Sequence, residues 1–313
     1  MKPSRLPASL RNQPFRVRDA VPIVGRNRLR RSDLIVVTRG LRLHRSLRHL
    51  TDAQRFAPGL GADQFFSHTT AAGIWGMPVP RGPLHVTTLG SGPIMRRRGV
   101  TGHRVSRERA QVVTKNGLRV SDAVTSFFES AALTGTDEVD DDDLVALADW
   151  LVGRACGLDL DDLRRTAARS RGQRGVRRIR RALDLARVGS ESRRETRLRL
   201  RLGRAGFRPP LLNCDVHDAD GRFIGRPDII YGRERVCIEY DGDHHRTDRK
   251  TFREDIRRRE RFSAAGWHSI HVSDDDLFGS NWDQFVQHAE AALARGRREA
   301  DARDAARMAP RSQ

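Results

Sequence analysis

The spacing of apolar positions changes several times along the chain, and each change marks an element. Asp33-Leu34-Ile35-Val36-Val37-Thr38-Arg39-Gly40 is a β-rich run ending at glycine, and Leu41-Arg42-Leu43 alternates again, which predicts a small hairpin. The residues before it are basic and poorly patterned. Ser67 is placed to cap a helix over Ala71, Ala72, Ile74 and Trp75, stopped by Met77-Pro78-Val79-Pro80. Strands are predicted at Leu84 to Thr88, Gly99 to Val105 and Gln111 to Val113. Leu118-Arg119-Val120 then leads to Ser121, the predicted N-cap of a helix whose Ala123, Val124, Phe127, Phe128 and Ala131 form one stripe suited to packing on those strands.

Thr134 to Asp143 is turn-rich and acidic and reads as a solvated loop. Helical spacing returns at Leu144 to Val152, Leu160 to Ala168 and Val176 to Ala186, broken by Gly153, Gly157, Gly172 and Gly175. From Ser190 the order becomes helix, several strands, helix, strand, helix. Ser190 is the predicted cap of a helix carrying Leu198, Leu200, Leu202 and Ala205 and ended by Gly206. Strands are predicted at Leu211 to Val216, Phe223-Ile224, Asp228 to Tyr231 and Val236 to Asp241. A helix from about Lys250 to Ala265 closes at Gly266, before the strand Trp267 to Val272. No solenoid-type period appears.

Composition adds a partner class. A chain of 313 residues with 37% hydrophobic content accommodates two ordinary domains, and its formal net charge of +19 favours polyanions such as DNA. Lysine occurs only at positions 2, 115 and 250, so the basic charge is nearly all arginine, a bias that a GC-rich coding sequence produces without functional demand. Cys156, Cys214 and Cys237 lack CxxC spacing and an even count, which argues against a disulfide framework or a structural zinc site and fits a reducing cytoplasm. Met1 to Arg30 has no apolar block of secretory type, and no stretch approaches the roughly 20 apolar residues of a membrane span, so a cytoplasmic protein without a membrane partner is expected.

The candidate chemistry lies in Val236 to Asp241. Strand alternation sends Val236, Ile238 and Tyr240 to one face and Cys237, Glu239 and Asp241 to the other. Two carboxylates two residues apart on one face repel unless a cation or a basic side chain compensates. Asp228 opens the preceding strand after the kink Gly225-Arg226-Pro227, so if the two strands pair, Asp228, Glu239 and Asp241 converge as hard oxygen ligands for Mg²⁺ or Mn²⁺. The competing reading is that arginines neutralise these acids. Gly242-Asp243-His244-His245 brings histidines to the same end, and His245 suits proton transfer or a phosphate hydrogen bond.

Glu191-Ser192-Arg193-Arg194-Glu195-Thr196-Arg197-Leu198, Arg226-Pro227-Asp228, Ile238-Glu239-Tyr240-Asp241-Gly242-Asp243-His244-His245, Asp255-Ile256-Arg257-Arg258 and Ala265-Gly266-Trp267 resemble the restriction-endonuclease-like proteins related to very-short-patch repair endonucleases, within the PD-(D/E)xK nucleases. The resemblance implies that Asp228 and Glu239 bind metal, that Asp241 stands where many relatives have lysine, and that Glu195 approaches from the first helix. His245, Asp255 and Arg258 would support the scissile phosphate. Glu191 and Glu195 share a helix face at i,i+4, so spacing alone leaves open which reaches the site. With no lysine, its task falls to the metal, to His245, or to nothing.

Phe66 to Pro78, Leu84-His85-Val86-Thr87 and Gly117 to Ala123 are similar to abortive-infection antitoxins of transcriptional-regulator type. No winged-helix reader, usual in that family, is visible in residues 1 to 50. His68 and Trp75, i and i+7 on their predicted helix, read as core. An α/β chain, α+β overall, is expected: a basic N-terminal segment and candidate DNA-binding unit at 1–60, an antitoxin-like α+β domain at 61–157, an arginine-rich helical linker at 158–189, a restriction-endonuclease-like mixed sheet flanked by helices at 190–298, and a disordered tail at 299–313. The functions to separate are a Mg²⁺-dependent DNA endonuclease in repair or phage defence, a DNA-binding regulator on an inactive nuclease fold, and a polyanion-binding structural protein.

Overall fold

The computed structural model describes residues 5–133, 138–218, 220–241, 249–277 and 279–308; within helices, the side chains of 249–253, 255, 307 and 308 lie outside the described set. The fold is α+β with mixed sheets, and it divides into two compact units, residues 1–140 with 167–180 and residues 141–166 with 181–313.

In the first unit, α1 (Ala8–Arg11), β1 (Phe15–Arg16) and α2 (Val17–Arg28) precede the predicted hairpin, β2 (Leu34–Thr38) and β3 (Leu41–His44). β1 pairs with β3 and completes a sheet in the order β1-β3-β2. The stretch that reads as unpatterned basic chain is therefore folded. Leu6, Leu10, Phe15, Ala20, Leu29 and Leu34 form its core, shared among elements too short to display a period. Gly25, at φ 72°, bends α2 where a residue with a Cβ would be strained. Arg28 is nearly buried and donates to both carboxylate oxygens of Asp33, at 2.9 and 2.6 Å, which holds the Asp33 carboxyl below its usual range. Helix, strand, bent helix and hairpin follow one another here, so residues 5–47 form a small α+β layer.

The larger sheet of this unit comprises β4 (Gln64–Phe66), β5 (Leu84–Leu89), β6 (Val100–Val105), β7 (Val112–Lys115) and β8 (Leu118–Ser121), ordered β6-β5-β4-β8-β7. Phe66, Val86 and Val120 pack there with Phe56 of α3 (Asp52–Phe56) and Ala71 of α4 (His68–Trp75). Two caps differ from expectation. The α4 N–H at His68 is accepted by Glu129 Oε2 at 2.9 Å, not by Ser67. α5 (Ala123–Ala131) is capped by Asp122, which accepts from Thr125 N at 2.8 Å, while Ser121 Oγ donates to Glu129 at 2.7 Å.

The acidic run is not all loop. Residues 134–137 lie outside the described set, but Asp141 to Asp143 open α6 (Asp141–Val152), where acids suit the positive end of the helix dipole. The arginine-rich linker is likewise structured, as α7 (Leu160–Arg169) and α8 (Val176–Leu185), with Leu163, Ala167, Ile179, Ala182 and Leu183 buried.

The second unit carries the sheet β14-β13-β12-β9, built from β9 (Leu211–Leu212), β12 (Ile229–Tyr231), β13 (Val236–Tyr240) and β14 (His268–Val272). β13 and β14 are parallel; the other neighbours are antiparallel. On one face, Val236 and Ile238 pack against Leu198 and Leu202 of α9 (Arg193–Arg204) and Phe285, Ala289 and Ala292 of α11 (Gly279–Met308). On the other, Ile230 and Cys237 pack with Phe262 of α10 (Arg249–Ala264). Helices thus flank both faces, as expected.

The single strand predicted at Leu211 to Val216 is two. Asn213, at φ 45°, breaks it, and β10 (Val216–His217) leaves to pair with β11 (Phe223–Gly225). The tail is helical where described, since α11 runs to Met308; residues 309–313 lie outside the described set. None of the described helices is long and apolar enough to cross a membrane.

Candidate active site

β12 and β13 pair in the register Ile229↔Ile238, Ile230↔Cys237 and Tyr231↔Val236. Asp228 precedes Ile229 and Glu239 follows Ile238, so antiparallel pairing sets the two carboxylate residues side by side at one end of the sheet. Asp228 is tied at both ends. Its carbonyl accepts from Asn213 N at 3.1 Å, and its Oδ2 accepts from Tyr240 N at 2.8 Å.

The third acid comes from α9. Ser192, not Ser190, is the N-cap and accepts from Glu195 N at 3.1 Å. Glu195 Oε2 in turn accepts from Glu191 N at 2.9 Å and from Asn213 Nδ2 at 2.7 Å. The same Asn213 therefore links Glu195 and Asp228. Glu191, expected on the same helix face, lies before the N-cap and pairs with Arg226 at 3.3 Å, so of the two glutamates it is Glu195 that approaches Asp228 from the helix.

A buried network seats this helix. Asp149 of α6 is 1% exposed and accepts from Arg199 Nη2 at 2.9 Å, Thr196 Oγ1 at 2.7 Å and Arg187 N at 2.7 Å. Ser190, displaced from capping, bonds Thr196 at 2.8 Å. Asp143 accepts from Arg193 and from Arg197. The acids of α6 thus neutralise arginines of α9, which explains part of the charge by structure alone.

Desolvation dominates the electrostatics. Burial pushes Asp228 up to about 7, against the Tyr240 N–H, with the charges of Glu195 and Glu239 raising it further and Arg258 opposing. Burial also raises Glu239, opposed by Arg258, whose Nη2 lies 3.1 Å from Glu239 Oε1, and by His271. Neighbouring carboxylates with raised proton affinity gain from any added positive charge, so the donor set suits a hard divalent cation. Cys237, on the same strand face, lies in the apolar cluster with Phe262, and its thiol is pushed up to about 12 by burial. The acidic face is apolar at its inner end.

Asp241 is placed differently. Its side chain is half exposed and meets His271 Nδ1 at 3.1 Å and Arg259 at 3.7 Å. Among the described residues, Asp228, Glu239 and Asp241 do not draw their ligand atoms within 4.8 Å of one another; a backbone N–H, Arg258 and His271 each hold one of them. The structure brings together Glu195, Asp228, Glu239 and Arg258, with Asp241 at the rim. His245 lies outside the described residues, and so does the side chain of Asp255, although its backbone is in α10.

His271 is the residue that sequence reading missed. It lies opposite Glu239 in the parallel β13–β14 pair. Its signal was present in the strand, since alternation buries Ile270 and Val272 and turns His271 to the acidic face. A second constellation, in the first unit, is His68, His85 and His103, whose ligand atoms lie within 4.8 Å of one another. No protein-family model and no curated protein matches this chain.

Proposed function

We propose that the second unit is a divalent-cation-dependent DNA endonuclease, hydrolysing phosphodiester bonds at Asp228, Glu239 and Glu195. The observation that carries this reading is the antiparallel pairing that sets Asp228 beside Glu239, with Glu195 reaching Asp228 through Asn213. Asp228 and Glu239 would hold Mg²⁺ or Mn²⁺, Glu195 would complete the acidic wall, and Asp241 would add charge at the rim. When bound, such a cation polarises a phosphoryl oxygen and lowers the pKa of water. Arg258, now on Glu239, is freed to contact phosphate once other positive charge compensates that carboxylate. His271, whose Nδ1 lies 3.1 Å from Asp241 Oδ1, offers a hydrogen-bonding ring beside the position that lysine holds in many of the resembled family. The formal net charge of +19 supports a polyanionic substrate.

The test incubates the purified chain with supercoiled, single-stranded and mismatched DNA in Mg²⁺, in Mn²⁺ and in chelator, beside Asp228→Asn and Glu239→Gln. Metal-dependent cutting that is lost in both variants is expected. Tight binding with no cutting in any lane overturns the proposal and favours a regulator. That second reading, a DNA-binding regulator of antitoxin type, is supported by the small folded α+β layer of residues 5–47, on which Arg18, Arg26, Arg30 and Arg31 are exposed.

A further inference from the structure

Three histidines from three elements meet in the first unit. His68 starts α4, His85 lies on β5 and His103 on β6. β5 and β6 are parallel in the register His85↔Thr101 and Thr87↔His103, so alternation puts both histidines on one sheet face. Val86, between them in phase, turns to the apolar core. His85 is 0% exposed and His68 8%. The rings stack nearly parallel, with His68 and His103 3.7 Å apart between centroids and His85 at 5.3 and 5.1 Å from them.

The nitrogens lie close together. His85 Nδ1 lies 2.8 Å from His103 Nε2. The other nitrogen of His85, Nε2, is 2.8 Å from Glu138 Oε2, so that position carries the proton and donates to the carboxylate. Ser67 Oγ occupies His68 Nδ1 at 2.9 Å and is itself held by Thr87 Oγ1 at 2.7 Å, leaving His68 Nε2 as its ligand nitrogen. One nitrogen from each ring lies within 4.8 Å of the others. His68 adopts φ 50°, a backbone conformation costly for a residue with a Cβ, and it does so where its ring joins the other two.

We propose that His68, His85 and His103 form a binding site for a transition-metal cation of Zn²⁺ type, with Glu138 as the outer carboxylate that orients His85. Imidazole nitrogen suits Zn²⁺ over Mg²⁺ or Ca²⁺, and three protein ligands leave one tetrahedral position for water. A carboxylate on the far nitrogen of a ligating histidine fixes the tautomer and raises ligand basicity, which is the relation of Glu138 to His85. Without a cation, one proton lies between His85 Nδ1 and His103 Nε2. A cation takes that place when His103 carries its proton on Nδ1 instead, with no net change in protons. The site is separate from the carboxylates of the second unit in both residues and ligand type.

The test strips the full chain with chelator, reloads it with Zn²⁺ or Co²⁺, dialyses it, and measures metal by elemental analysis and the visible ligand-field bands of Co²⁺. Wild type is expected to retain one equivalent with a tetrahedral Co²⁺ spectrum, and Zn²⁺ at about 100 times its Kd should raise Tm by roughly 5–10 °C. His85→Gln and His103→Gln should lose that equivalent, whereas Asp228→Asn and Glu239→Gln should keep it. Glu138→Gln, which leaves every ligand in place and so guards against loss of fold, should weaken Zn²⁺ binding about 10- to 100-fold. Wild type that retains no metal overturns the proposal, as does a Co²⁺ spectrum unchanged in folded His103→Gln. Loss of the equivalent only in the Asp228 and Glu239 variants overturns it too.

Discussion

Asp228→Asn should stabilise the cation-free protein, and by an amount that depends on pH. Burial raises the carboxyl from an ordinary 3.8 to about 7 in the fold. Between those values the folded chain holds a proton that the unfolded chain has released, so stability falls as pH rises through the interval and levels off above it. At about 1.4 kcal/mol per pH unit, the whole interval corresponds to about 4 kcal/mol. Part of this is shared with Glu239, whose charge helps to raise Asp228. Asparagine can still accept from Tyr240 N through its amide oxygen, so removing the charge should recover about 2–4 kcal/mol at pH 8 and about 1.5 kcal/mol or less at pH 5. Urea unfolding in chelator measures this, followed by the fluorescence of Trp150, Trp267 and Trp282, which all lie in the second unit. Adding Mg²⁺ should stabilise wild type at pH 8 and leave the variant nearly unchanged. A variant no more stable than wild type at pH 8 in chelator would refute the claim that Asp228 is held charged at a cost, and with it the physical basis for cation binding.

Two structural predictions accompany it. A Cβ on Gly225 would lie 2.8 Å from Phe262 Cε2 and 2.9 Å from Arg258 Nε; Gly225→Ala should therefore unseat α10 at a cost of about 1–3 kcal/mol by urea titration, and an unchanged midpoint would deny that close approach. Asp149→Ala leaves the nearly buried Arg199 without its carboxylate and should cost about 3–5 kcal/mol, so a loss below about 1 kcal/mol in the same assay would mean that water compensates.

Elements with many residues of one period were legible from sequence, and short or shared ones were not. The strand Val236–Tyr240 alternates over its full length and displays both its faces. β1 has two residues, and the helices around it contribute a few apolar side chains each to the cluster of Leu10, Phe15 and Leu29, so no window there holds a period. The caps moved by one or two residues for a reason that only packing supplies. Ser121 and Ser190 are drawn into buried hydrogen bonds with Glu129 and Thr196, leaving Asp122 and Ser192 to cap. Likewise, Asp141 to Asp143 look solvated in sequence because their partners, Arg181, Arg204, Arg193 and Arg197, lie tens of residues away.

The sequence by itself determined that Glu239 faces away from Ile238 on its strand, with Asp241 just beyond the strand end and Asp228 just before the preceding strand, because alternation is a local property of extended backbone. Tertiary structure alone decided how those acids are arranged. Antiparallel register sets Asp228 beside Glu239, Asn213 ties Glu195 to Asp228, and a parallel neighbour delivers His271 to Asp241. The histidine trio depends wholly on that level. His68, His85 and His103 are separated by 17 and 18 positions, and only the parallel pairing of β5 with β6 and the packing of α4 bring their nitrogens together, since contacts between distant segments leave no period in the chain that encodes them.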